Sequence, residues 1–115
     1  MLVGNSANNN GWHGIHVHSS DNAEVADNTV SLNVVTGVMI SSSSDNTTVN
    51  TNNIFGNLVH GLNNNTVNDV TATNNWWGPG GTGTNAERPG EDGNNGVVDS
   101  STGTTDFTPW SNVKF

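Results

Sequence analysis

An all-β solenoid of about three coils, 23 or 24 residues each, stacked in parallel and closed by a C-terminal cap, is the fold class the sequence predicts. Three observations predict it. Residues recur at a fixed step through the first two-thirds of the chain, apolar positions alternate within short stretches, and the bulk of the chain is Asn, Thr, Ser and Gly. Hydrophobic residues make up 30% and charged residues only 10%. Disorder from low hydrophobicity usually comes with high charge and few β-branched residues, whereas Val and Thr are frequent here, so order is expected.

The repeat is read column by column. Leu2, Val25, Val49 and Ala72 are separated by 23, 24 and 23 residues, and Asn5, Asn28, Asn52 and Asn75 keep the same steps. Ala7, Val30, Ile54 and Trp77 form a third column, and Asn10, Asn33 and Asn57 a fourth. Gly14, Gly37 and Gly61 form a fifth, each followed by an aliphatic residue: Ile15, Val38 and Leu62. Self-similarity at such a period marks a solenoid, in which each unit buries its apolar face against its neighbours.

Within a coil the apolar residues follow the strand period of two. In "GIHVHSS" and "GVMISSSS", Ile15, Val17, Val38 and Ile40 share one side, while His16, His18, Met39 and Ser41 share the other. Stacked strands lie about 4.8 Å apart. A column of Asn then becomes an amide ladder, the carbonyl of each amide group accepting from the N–H of a neighbouring coil. The corners need positive φ, which Asn and Gly tolerate best.

The tandem tryptophans of "NNWWGPGGTG" mark the far end. Trp77 falls in the inward column of Ala7, Val30 and Ile54, where a large indole can plug the last coil, with Trp76 outside or at the edge. The 23-residue coil with Asn at its corners resembles the right-handed parallel β-helix repeat proteins of the pectate-lyase-like superfamily over roughly Leu2 to Trp77. Asn74, Asn75, Trp76, Trp77 and Gly78, with the later Pro109 and Trp110, resemble the closing element of such proteins. The resemblance implies coils over residues 1–77 and a closing segment of the same domain over 78–115. That segment would comprise a loop from Gly78 to Gly96, a return strand near Val97 and Val98, and Phe107 to Trp110 packing back. Met1 to Val3 carry no cap, so the first coil is expected to accept upstream coils or a second copy of the protein.

Charge restricts the partners. The net charge is -8 and Arg88 and Lys114 are the only strong cations, so no basic stripe exists for nucleic acid or an anionic membrane surface. No apolar run is long enough to insert in a membrane. There is no cysteine, and "MLVGNSANNN" is not a secretory signal. An extracellular or cell-surface location is expected, with any signal lying outside this sequence.

Three sets of side chains are candidate sites. His16 and His18 point outward from one strand, with His13 at the preceding corner and His60 in the same column as His13; such an imidazole pair can hold Zn²⁺ or Cu²⁺. Asp21 and Asp45 stack across adjacent coils near Glu24 and Asp27, where Ca²⁺ or acid–base chemistry is conceivable. Glu87, Glu91, Asp92 and Asp99 form an acidic loop without the ligand order of an EF-hand. The repeat region holds no Lys or Arg to serve a polysaccharide lyase, and no nucleophile elbow, phosphate loop or dinucleotide fingerprint occurs. Thr71 and Thr73 begin an outward threonine pair that the other coils do not continue, which argues against an ice-binding array.

The expectation is therefore a non-enzymatic structural or cell-surface module, self-associating through its open first coil, with no cofactor other than Ca²⁺ at the acidic positions. A carbohydrate-binding or carbohydrate-processing domain is the alternative, contacting polysaccharide through Trp12, His16, His18, Asp21 and Asp45. Asn5, Asn28, Asn52, Asn75, Trp76, Trp77 and Trp110 are assigned to structure.

Overall fold

A computed structural model describes residues 1–78 and 96–115. The described residues form twelve short strands and no helix. In sequence order these are β1 (Leu2–Val3), β2 (Ser6–Asn8), β3 (Ile15–His18), β4 (Glu24–Ala26), β5 (Thr29–Ser31) and β6 (Thr36–Ser41). They continue as β7 (Thr47–Asn50), β8 (Asn53–Phe55), β9 (His60–Asn65), β10 (Val70–Thr71), β11 (Val97–Asp99) and β12 (Thr105–Asp106).

Every strand pairs in parallel with the strand one coil away, giving three sheets that run along the solenoid. Their orders are β1-β4-β7-β10-β12, β3-β6-β9-β11 and β2-β5-β8. The protein is thus an all-β parallel β-helix. The register follows the sequence columns: Leu2 pairs with Val25 and Val25 with Val49, Ile15 pairs with Val38 and Val38 with Leu62, and Val30 pairs with Ile54. Slipping any strand by one residue would turn its apolar set to solvent, which is why the alternating pattern holds this register.

The C-terminal segment continues the fourth coil, begun by β10, and starts a fifth with β12. Val97 pairs with Leu62 and Thr105 with Val70, so β11 and β12 extend two of the three sheets. The third sheet is extended by a single bridge from Asn53 to Trp76, and the Asn53 side-chain amide also bonds both the N–H and the carbonyl of Phe115. The last strand is Thr105–Asp106, just before the Phe107 to Trp110 stretch; Phe107 and Trp110 are partly buried against the core. The expected Gly78–Gly96 loop lies, but for its two ends, outside the described residues.

Ile15, Val17, Val25, Val30, Val38, Ile40, Val49, Ile54, Leu62, Val70, Ala72 and Trp77 make one buried cluster. Two amide columns run beside it. Asn52 Oδ1 accepts from both the backbone N–H (2.9 Å) and the side-chain amide (3.0 Å) of Asn28, and Asn75 Oδ1 accepts the same pair from Asn52 at 3.0 Å each. Asn5 donates to Asn28 in the same way, while Asn10, Asn33 and Asn57 form the second column. The second proton of each interior amide goes to a backbone carbonyl, as from Asn52 to Val25 at 2.9 Å and from Asn75 to Val49 at 2.7 Å. Both lone pairs and both protons of Asn52 are used, so its burial leaves no polar atom unpaired.

The glycine column exists because of that ladder. A Cβ on Gly37 would stand 2.6 Å from Asn57 Nδ2 and 2.6 Å from the Gly61 carbonyl oxygen. The backbone can pass this close to the amide column only without a side chain. Corners take positive φ at Asn9, Asn22, Asp27, Asn46 and Asn74, and also at Leu32, a residue type for which that conformation is strained.

Candidate functional site

The outward face of β3 carries the densest set of metal-type donors among the described residues. Strand alternation buries Ile15 and Val17 and exposes His16 and His18. Pairing with β6 sets Met39 beside His16 and Ser41 beside His18, and pairing with β9 sets Asn63 and Asn65 one strand further. Met39 and Ser41 are half-buried, while Val38 and Ile40, which alternate with them, face the core. The outward neighbours of the two histidines therefore come from strands one and two coils away.

Both imidazoles turn toward one oxygen. His16 Nε2 lies 2.7 Å and His18 Nδ1 3.0 Å from Ser41 Oγ, and Ser42 Oγ is 3.2 Å from the same His18 nitrogen. A single hydroxyl donates one proton and accepts through its lone pairs, so Ser41 satisfies the two rings when it donates to one and accepts N–H from the other. It thereby holds two imidazole nitrogens converging over β6.

Two further rings extend the row. His13 meets His16 edge to face with centroids 5.5 Å apart, His16 meets His18 likewise at 5.4 Å, and Trp12 stacks on His13 at 4.9 Å. The Trp12 indole is 67% exposed. His13 Nδ1 is buried with no hydrogen-bond partner. Desolvation, and secondarily the neighbouring His16, lower the pKa of His13 below the ordinary histidine value, which favours its neutral form. A neutral imidazole is the form that binds metal.

The remaining sequence candidates lie elsewhere. Asp21 and Asp45 do stack at a corner, but Asp21 Oδ1 accepts the Asp45 backbone N–H at 3.2 Å and Asp45 Oδ1 accepts that of Asn46 at 2.8 Å. Asp27 accepts from the Thr51 hydroxyl at 2.6 Å, and Asp99 from the N–H and hydroxyl of Thr105. Glu87, Glu91 and Asp92 lie outside the described residues. His60 pairs in register with Thr36 at the start of β9, away from the ring row. Trp76 packs edge to face on Phe55 at 5.2 Å with the Lys114 ammonium near both rings, and Trp77 is wholly buried. No three His, Cys, Asp or Glu side chains among the described residues converge on one point.

Sequence reasoning did not count Met39, Ser41 or Ser42 among the candidate site residues. It placed Met39 and Ser41 on the outward side with His16 and His18 but did not weigh them as donors. The signal was the step itself, which places residue 39 beside 16 and 41 beside 18.

The family model described as "Periplasmic copper-binding protein (NosD)" matches residues 1–104. No curated protein and no solved structure matches the sequence. The family match corrects the expectation of no cofactor other than Ca²⁺: the metal to which it points is copper. The physical reason is visible in the donors. Asp21, Asp27, Asp45 and Asp99 are engaged by backbone and hydroxyl groups, whereas the convergent His16 and His18 nitrogens and the orphaned His13 nitrogen are of the imidazole type that suits copper. Among the described residues no helix is long and apolar enough to cross a membrane.

Proposed function

We propose, on the premise that the protein belongs to the NosD family of periplasmic copper-binding proteins, that the outward face of β3 binds copper and that the coils behind it are a non-catalytic scaffold. The observation that carries this reading is the approach of His16 Nε2 and His18 Nδ1 to the same Ser41 hydroxyl, at 2.7 and 3.0 Å. Two donors already turned to one side of the sheet lose little freedom on binding an ion. The β-sheet supplies the rigidity, since His16 stands between the buried Ile15 and Val17, and His18 follows Val17. The net charge of -8 adds a field that attracts cations.

Copper supplies Lewis acidity or an electron when bound. The protein's part is to present the two imidazoles, keep them convergent through Ser41, and leave one side open to solvent. The test is metal content after incubation with copper and desalting. Wild type is expected to retain one copper per molecule and the His16→Asn/His18→Asn double variant none, with unchanged melting. Full copper retention by the double variant would refute the assignment.

A second reading, self-association through the first coil, is favoured by Leu2 and Val3. Leu2 is 38% and Val3 43% exposed, while Val25 and Val49 in the column of Leu2 are buried. A second copy, or upstream coils of a longer chain, stacked there would bury them and pair the edges of β1, β2 and β3. Light scattering over a concentration series is expected to show a dimer; a monomer throughout would remove this reading. A glycan role rests on the exposed Trp12 indole, and Trp12→Ala should then abolish retention on a polysaccharide column.

A further inference from the structure

We infer that Met39 is the ligand that makes this face selective for monovalent copper over zinc. The inference rests on the copper reading of His16 and His18 and adds a third donor to it. Met39 pairs in register with His16, so the two side chains project from neighbouring strands about 4.8 Å apart. Both belong to the outward set of the β3-β6-β9 sheet, as does Ser41, two residues along β6, on which both imidazoles converge. The thioether therefore stands on the strand over which the two ring nitrogens point.

Met39 is also chemically out of place for a purely structural surface. The side chains around it on the outward side of β3, β6 and β9 are His16, His18, Ser41, Asn63 and Asn65, all polar. Its half-buried thioether lies outside the core, which is on the other side of the sheet.

Ligand chemistry assigns it a purpose. Two imidazoles alone do not separate Zn²⁺, Ni²⁺ and copper, which all accept nitrogen donors. Structural zinc completes four positions with thiolate, imidazole or carboxylate. Cysteine is absent from the sequence, and no third His, Asp or Glu among the described residues converges on the pair. A thioether is a soft donor that suits Cu(I) and leaves zinc under-coordinated. The set His16, His18 and Met39 thus favours Cu(I) by supplying a soft third donor.

The test is anaerobic competition for Cu(I) against a chromophoric chelator, with parallel Zn²⁺ titration, on wild type, Met39→Leu and His16→Asn. Leucine keeps the volume of methionine without its sulfur. Loss of outer partners of a metal ligand already costs about tenfold to a hundredfold in affinity, so loss of the sulfur should weaken Cu(I) binding by at least roughly tenfold. Zn²⁺ affinity should stay unchanged. X-ray absorption of the copper-loaded wild type should show one sulfur neighbour, absent from Met39→Leu. If His16→Asn weakens Cu(I) binding and Met39→Leu does not, the copper face stands and the role of Met39 falls. Equal losses of Cu(I) and Zn²⁺ in Met39→Leu would likewise overturn the selectivity claim. Absence of stoichiometric copper binding in wild type would overturn both readings.

Discussion

The column Asn5, Asn28, Asn52, Asn75 and the outward row at His16 are both polar stacks assembled by the same 23- or 24-residue step, but their neighbours differ. In the column each residue meets its own kind, and amide donors and acceptors close on one another and on the backbone until Asn52 has no valence left. In the row His16 meets Met39 and then Asn63, while His18 meets Ser41 and then Asn65. Repetition produces a self-satisfied interior, whereas its interruption leaves donors of different chemistry side by side and accessible. In this solenoid the periodic polar residues carry the fold, and the aperiodic ones are where binding can be built.

Substitutions should separate the two stacks, and the largest effect is expected inside. Asn52→Ala strands the Asn28 backbone N–H, the Asn28 amide and the Val25 carbonyl in a buried site, at a cost of about 4 kcal/mol. Urea denaturation measures it, and a cost below about 1 kcal/mol, the net worth of one ordinary hydrogen bond, would mean that the column is not a stabilising element. Gly37→Ala sets a methyl against the Asn57 amide and the Gly61 carbonyl and should cost about 2 kcal/mol, as overpacking does. Copper retention should survive in whatever fraction of either variant remains folded.

Outside, the expected stability effects are small. His16→Asn with His18→Asn should shift stability by less than about 0.5 kcal/mol, the usual range for surface changes, while abolishing copper retention. A larger loss would show that the histidines also serve the fold. His13 lies between the two regimes. Its pKa is lowered in the folded protein, so the unfolded state takes up a proton first as pH falls. Its contribution is therefore complete above the ordinary histidine value of 6.5 and lost as pH falls from there through the lower folded value. His13→Asn should flatten that segment of a stability–pH curve.

The smallest effect is expected at β12, the last strand of its sheet. Hydrogen bonds from the Thr104 N–H and hydroxyl hold the Asp69 pKa below the ordinary carboxylate value. That support is complete above the ordinary value of 3.8 and lost as pH falls through the lower folded value. Amide exchange in β12 should quicken in that acid range, and Asp69→Asn should remove the dependence.

The same contrast explains what could be read from the sequence. The register was legible because inward Val, Ile and Asn recur at a constant step and any slip exposes them. In the closing segment the resemblance placed a return strand near Val97 and Val98, where β11 lies, whereas β12 was not legible because Thr105 falls outside the 23- or 24-residue step. His16 and His18 were visible through strand alternation. Met39 and Ser41 were legible as outward positions of the next coil but not as donors, because attention to recurring residues passes over the chemistry of unlike residues that the same step brings together. Asp21 and Asp45 were correctly placed in adjacent coils, yet their carboxylates accept backbone N–H groups at the corners, a use that spacing alone does not reveal.

Anomalous diffraction at the copper edge from crystals of the copper-loaded protein tests the central claim most directly. The account predicts a single strong peak over β6, within bonding distance of His16 and His18. A peak at any other place, or none in a protein that retains copper in solution, would contradict it.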